Sequence, residues 1–375
     1  MRISGEIQRG AGIPFRVMCM KIRQLVFSLS AGALLLAGLT AAGGGDVAAQ
    51  MAAAKPQLVL LDTDIGDDID DAFALALALN SPELKLLGIT TAFGDTGLRA
   101  QLANRYLEAA GRSDIPVHVG VRTTANNVFT QRAYAARGRS SPNDDGVAFL
   151  LDQIRAHPGE ITLIAIGPLN NIEAAIKRDP KTFRKLRRAV VMAGSIYRGY
   201  DDKNGVNRTP DAEWNVNRDP AGLRALLASG VPVFLMPLDS TQIRLETARR
   251  EAIFAHGSPV TDQLTLLYHQ WKAGSESHWE APTLYDPVAV TYAIRPDLCP
   301  ATPMRIEVDD KGFTRPVEGA ANAQVCLKSD EQGFLEALVG RLTNDVPAPL
   351  QGMAHSPMTR LSTKLTAALV LDNGT

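Results

Sequence analysis

The chain has 375 residues, 45% of them hydrophobic and 21% charged, with Lys+Arg 39 against Asp+Glu 40 and a formal net charge of −1. This is the composition of a folded globular protein with a sizeable core, and it excludes a disordered chain. The near-zero charge gives no field for a polyanion, so nucleic acid is excluded as the main partner, and past residue 50 no run reaches the ~18 continuous apolar residues of a membrane span.

The first fifty residues differ from the rest. Lys21 and Arg23 precede the apolar run Leu25 to Leu39, small residues follow, and Val47-Ala48-Ala49 offers a cleavage site. Residues 1–49 read as a secretory signal peptide, with Met18 or Met20 a more natural start than Met1; a retained single-span anchor is the competing reading. The apolar run has no Cys after it, which argues against a lipoprotein. The expected product is exported, to the periplasm, with no membrane span after processing. Cleavage removes Cys19 and leaves Cys299 and Cys326, for which a disulfide and two buried thiols both stay open.

From Gln57 the chain alternates. Apolar runs at 57–62, 84–93, 117–121, 161–166, 189–192 and 231–236 read as strands. Helical stretches at 70–80, 96–110, 146–156, 170–177 and 220–228 separate them, punctuated by Asn80-Ser-Pro82, Gly111 and His157-Pro158. Strands apolar on both faces, alternating with helices, predict an α/β fold: an open, doubly wound, mostly parallel sheet with helices on both faces. After Asp239 come two helical stretches over 244–272, then a hairpin over 304–318 around Asp309-Asp310-Lys311-Gly312. One catalytic domain over 50–345 is the simplest division, with a loosely held tail over 346–375. A homo-oligomer is left open.

Asp62-Thr-Asp64-Ile-Gly66-Asp67-Asp68-Ile-Asp70-Asp71 puts six carboxylates within ten residues, where a strand ends and a helix begins. Helix capping accounts for one or two of them. Six repel one another, and oxygen-only ligands of that density point to Ca²⁺ or Mg²⁺. An EF-hand loop from Asp62 fails, because Phe73 stands where the bidentate Glu is needed, and there is no phosphate-cradling Gly-rich run ending in Lys-Ser/Thr. A phosphatase-type nucleophile at Asp62 stays open. Later strand ends carry Gly94-Asp95, Gly167-Pro-Leu-Asn170-Asn171 and Met192-Ala-Gly194. Beyond them come Asn207, Glu213-Trp-Asn215 and Tyr285-Asp286-Pro287. Ligands bind outside the carboxyl ends of strands in such a fold.

This ordered set resembles the inosine–uridine preferring nucleoside hydrolase family over roughly residues 57–345. The resemblance rests on the Asp-rich first strand end closing in Asp-Asp-Ala, the Gly-Pro-Leu turn, the Val-Met-x-Gly strand end, Glu-aromatic-Asn and the late Asp-Pro. It implies a Ca²⁺-dependent N-ribohydrolase acting on a small-molecule ribonucleoside. Asp64, Asp71 and Asp286 then resemble metal ligands, together with the backbone carbonyl of Asn170, and Asp64 also resembles the base that takes a proton from water. Asp70, Asn207, Glu213 and Asn215 resemble ribose-binding residues, with Met192 lining the sugar pocket. The chain departs from the family in four ways. The Asp-rich motif is two residues longer, so Asp67 or Asp68 could take a role. Asp95 stands where Asn is common. Ser140 to Asp145 lacks a His found in several members. Tyr285 replaces the His that often protonates the leaving base. His269, Trp271, His278 and Trp279 lie just ahead of Tyr285; a base pocket with Trp279 stacking and His278 as acid is one reading, and simple helix packing the other. The rival functions are a phosphatase using Asp62 and a non-catalytic periplasmic binding protein.

Overall fold

Alternating apolar runs and amphipathic segments become β1 (Gln57–Thr63), α1 (Asp70–Leu79), β2 (Leu84–Thr91), α2 (Thr96–Ala109), β3 (Val117–Val119), α3 (Gly146–Ala156), β4 (Thr162–Ala165), α4 (Asn170–Arg178), β5 (Arg188–Met192), α5 (Pro220–Ala228) and β6 (Val233–Met236). The C-terminal part adds α6 (Thr247–Ala255), α7 (Pro259–Gly274), α8 (Pro287–Ile294), β7 (Ala301–Val308), β8 (Thr314–Val317), β9 (Ala323–Cys326) and α9 (Glu331–Leu342). The structure, a computed structural model, describes residues 55–124, 128–142, 145–202, 205–274 and 281–344. The expected leader over 1–49 and the tail over 346–375 lie outside the described residues, as do His278 and Trp279.

The nine strands form one sheet in the order β3-β2-β1-β4-β5-β6-β9-β7-β8. From β3 across to β9 every neighbouring pair is parallel, while β7 runs antiparallel to both β9 and β8. Strand order reverses between β1 and β4, the switch point where a doubly wound sheet opens a crevice at its carboxyl edge. This is the expected single α/β domain, with the hairpin at Asp309 to Gly312 in its expected place as the β7–β8 turn.

Because side chains alternate along a strand, the sheet has a core on each face. Val59, Leu61, Ile164, Val190 and Met192 pack on one side with α1, α7 and α8. Leu58, Leu60, Leu163, Ala189 and Val191 pack on the other with α3, α4 and α5. α1 is buried nearly all round, which is why its sequence is almost wholly apolar after the two leading aspartates. Asp95, Asp145, Asp219 and Asp330 each accept a hydrogen bond from a backbone N–H in the first turn of the helix that follows. Cys299 and Cys326 form a disulfide, with Cα atoms 5.6 Å apart, that ties the start of β7 to the end of β9.

Candidate active site

The turn from β1 to α1 is built around Gly66, whose φ of +129° strongly favours glycine, and a Cβ there would lie 2.2 Å from the Phe129 ring. Arg99 of α2, fully buried, holds the turn from beneath. Its Nε donates to the Phe93 carbonyl (2.8 Å), Nη1 to the carbonyls of Asp64 and Ile65, and Nη2 to Asp67 Oδ2 (2.7 Å). From above, Thr130 Oγ1 donates to the Asp67 carbonyl (2.6 Å) and Gln131 Nε2 to the Asp68 carbonyl (2.7 Å). The two extra residues of the Asp-rich motif are therefore an ordered, doubly tethered turn.

α1 has Ile69 at its N-cap and no side-chain cap, so Asp70 and Asp71 do not serve the capping role that acids play at α2, α3, α5 and α9. They turn inward instead. Carboxylate oxygens of Asp70, Asp71 and Asp286 all lie within 4.8 Å of one another, and all three residues are buried. Thr63 Oγ1 donates to Asp71 (2.5 Å), and the Asp286 N–H to Asp70 Oδ2 (3.3 Å). Burial first, and then the charge of neighbouring carboxylates (Asp68 for Asp70, Asp64 for Asp71, Asp70 for Asp286), pushes all three carboxyls well above the ordinary value. Asp64 adjoins them and is pushed up to about 7 by burial, against the pull of Arg99. A buried all-oxygen cluster like this is neutralised by protons or by a hard cation, and its donor chemistry suits Ca²⁺ or Mg²⁺. Gly167 at the end of β4 makes room for Asp64: a Cβ there would sit 2.7 Å from Asp64 Oδ1.

The opposite wall comes from β5 and the turn after it. Glu213, buried, accepts from the N–H groups of Gly194 (3.0 Å), Asn215 (2.8 Å) and Val216 (3.2 Å). Burial still raises its carboxyl to about 7. Asn215 Nδ2 donates to the carbonyls of Ile166 (3.3 Å) and Met192 (3.1 Å), linking the ends of β4 and β5. Between the two walls lies a cavity of ≈ 470 Å³, the scale of a small-molecule site, into which Asp64, Asp70, Asp71, Met192, Glu213, Asn215, Tyr285 and Asp286 all face.

Other candidates fall elsewhere. Asp95 is spent on the α2 cap and pairs with Arg122 (3.4 Å), and it is not on the cavity wall. Asn207 organises its own loop, donating from Nδ2 to Asp211 and accepting from the Thr209 N–H, and is likewise off the wall. Asn170 opens α4, with its Oδ1 buried and lacking a hydrogen-bond partner among the described residues. Of the α7 pair, Trp271 lines the cavity and donates to Asp68, whereas His269 is exposed. Asp62 is fully buried beneath the site, accepting from Thr90 (2.5 Å) and Asn171 (2.7 Å), and does not line the cavity, which removes it as a phosphatase nucleophile.

Tyr200, Thr130 and Val128 also line the cavity and carried no sequence signal, since they come from irregular loops. Arg99 did carry one. It sits on the buried stripe of α2 with Leu102, Ala103 and Tyr106, at i, i+3, i+4 and i+7, where a charge demands a partner.

Comparison with known proteins points one way. Residues 59–336 match the family described as inosine-uridine preferring nucleoside hydrolase. An uncharacterized protein of Schizosaccharomyces pombe is 32% identical over 314 residues, 76% of this chain and 98% of that one. Uridine nucleosidase 1 of Arabidopsis thaliana is 27% identical, over 77% of this chain and 94% of its own. Among solved structures, a plant nucleoside hydrolase superposes with a TM-score of 0.68 at 25% identity, covering 78% of this chain and all of that one.

Proposed function

The chain belongs to the inosine–uridine preferring nucleoside hydrolase family, and from that premise we propose that its cavity hydrolyses the N-glycosidic bond of ribonucleosides with the help of one Ca²⁺. It is a hydrolase acting on N-glycosyl compounds, which sets aside a non-catalytic binding protein. The observation that carries the reading is the grouping of Asp70, Asp71 and Asp286, with Asp64 beside them, at the carboxyl edge of the sheet in a cavity shared with Glu213 and Asn215.

In this reading Asp64, Asp71 and Asp286 hold the cation, with the Asn170 carbonyl as a further ligand, and the bound cation supplies a Lewis-acid grip on vicinal ribose hydroxyls and on water. Asp70 touches the same cluster and also orients a ribose hydroxyl; Ca²⁺ takes 6–8 oxygen ligands, so the two uses are compatible. Asp64, raised to about 7, takes the proton from the attacking water. Glu213 and Asn215 hold the far side of the ribose, and Met192 packs on the sugar. Their charge and dipoles favour the oxocarbenium-like sugar that forms as the base departs.

The leader-like residues 1–49 and the Cys299–Cys326 disulfide support export to an oxidising compartment, the periplasm, where such an enzyme would scavenge nucleosides. The experiment is turnover of inosine and uridine with added Ca²⁺, against their 2′-deoxy counterparts. A site built around a vicinal diol rejects the deoxy compounds by on the order of 10³-fold or more. Equal kcat/KM for both would contradict the chelation reading.

A further inference from the structure

A ribonucleoside carries three sugar hydroxyls. The cation held by Asp64, Asp71 and Asp286 takes the vicinal pair, which leaves the hydroxyl on C5′ to the wall across the cavity. A hydroxyl both donates and accepts, so a wall that recognises it needs an acceptor and a donor. Glu213, buried on that wall, is the acceptor. Two expected donors are otherwise engaged. Asn215 Nδ2 is committed to the carbonyls of Ile166 and Met192, and Asn207 Nδ2 to Asp211 off the wall.

Tyr200 stands beside them on the cavity wall. Its hydroxyl accepts from the N–H of Trp214 (2.9 Å), the residue between Glu213 and Asn215, so the phenol oxygen lies against the sugar wall itself. That bond uses a lone pair and leaves the O–H free to donate, and no acceptor for it stands among the described residues. A phenol keeps its proton at neutral pH. Edge-to-face contact with Tyr285, with centroids 6.1 Å apart, fixes the ring. The backbone is pinned on both sides. The Tyr200 N–H donates to Asp211 Oδ2 (2.8 Å), the Asp201 N–H donates to Gln242 Oε1 (2.7 Å), and Gln242 Nε2 donates to the Gly199 carbonyl (2.9 Å). Asn207 completes this frame: its Nδ2 donates to the same Asp211 oxygen (3.2 Å), and its carbonyl accepts from the Gly199 N–H (3.1 Å). A donor held in this way loses little freedom when substrate arrives.

We propose that Tyr200 is a substrate-contact residue whose phenol donates to the 5′-hydroxyl oxygen of the riboside while Glu213 accepts that hydroxyl's proton, and that Asn207 acts only through Tyr200, as a positioning residue. This rests on the N-ribohydrolase reading above, and it makes a free 5′-hydroxyl part of what the cavity selects.

The test sets uridine and inosine against their 5′-deoxy counterparts, in the unaltered protein and in Tyr200→Phe, which keeps the ring and removes the hydroxyl. The unaltered protein should prefer the 5′-hydroxylated riboside by on the order of 10²-fold or more in kcat/KM. Tyr200→Phe should lower kcat/KM for that riboside by about tenfold while sparing the 5′-deoxy compound, so the ratio shrinks by the same factor. Adding Asn207→Ala to Tyr200→Phe should shrink it no further. A role confined to capping the Trp214 N–H would lower both substrates alike, and an unchanged ratio in Tyr200→Phe overturns the inference. An Asn207→Ala effect as large with Tyr200→Phe as without it assigns the contact to Asn207 and also overturns it. Equal kcat/KM for the two compounds in the unaltered protein does so even if Tyr200→Phe fails to fold, and the turnover itself then leaves the N-ribohydrolase reading standing. If no riboside is cleaved, that reading fails first and this one falls with it.

Discussion

Single atoms decide how the acid cluster behaves. Asp71 repels Asp64 and Asp70, so the cluster needs a cation to hold its charged form, and removing Asp71 takes away one of that cation's ligands. Asp71→Ala should lose Ca²⁺ binding and turnover together, whereas Asp64→Asn should keep substrate affinity better than kcat. Calorimetry showing unchanged Ca²⁺ affinity in Asp71→Ala would remove Asp71 from the ligand set. Gly167 sharpens the point, because its missing Cβ is what lets Asp64 stand where it does. In Gly167→Ala the new methyl displaces the Asp64 carboxylate, and a displacement approaching 1 Å costs about 10²-fold in rate. Because that Cβ would also meet the Asp64 backbone N at 2.9 Å, the expected signature is a fall in kcat accompanied by a lower melting temperature. Wild-type kcat in that variant would mean that the position of Asp64 is not critical.

At the scale of elements, the β1–α1 turn is held by a helix beneath and a strap above. Arg99→Met leaves Asp67 without its guanidinium and frees the carbonyls of Asp64 and Ile65. Losing one partner of a partly buried, hydrogen-bonded ion pair costs on the order of 3 kcal/mol. Urea melts should register that loss, and Ca²⁺ affinity should fall with it; a variant as stable as the parent would show that residues 128–131 suffice as a clamp. The site's framework was legible because β-strand ends announce themselves. Asp64 follows and Met192 closes an apolar run, Asp286 stands just before the helix-starting Pro287, Glu213 opens Glu-Trp-Asn, and all four face the cavity. Asp95 and Asn207 sit at similar landmarks, yet local hydrogen bonds claim them, and only coordinates reveal that competition. β9 escaped the pattern because four residues, AQVC, are too short to show a period. The hairpin before it was visible through its turn chemistry, Asp309 to Gly312.

Two features act on the molecule as a whole. The disulfide closes a 27-residue separation, which stabilises by about 3.5 kcal/mol in the chain-entropy account, so replacing Cys299 and Cys326 together by Ser should lower the melting temperature by several degrees. The second is the cost of the buried acids. Burial raises Asp62, Asp64 and Glu213 to about 7 from ordinary values of 3.8 and 4.5, so the folded chain binds their protons more tightly than the unfolded chain does. A carboxyl raised in this way contributes stability that is fully present below the unfolded value and is lost as pH climbs through the folded one. The metal-free protein should therefore become less stable between about pH 4 and pH 7, with Asp70, Asp71 and Asp286, raised further, extending the loss to higher pH. A bound Ca²⁺ replaces protons at the cluster, favours the ionised forms and competes with protons for the same oxygens. Its stabilisation should consequently grow as pH rises, so thermal melts in chelator and in Ca²⁺ should diverge toward alkaline pH. Asp62 and Glu213 lie outside the proposed ligand set, so some alkaline loss should persist even with Ca²⁺ present. Metal-free melts that rise steadily across this range would show that the acids of the cavity are not under the strain their burial implies.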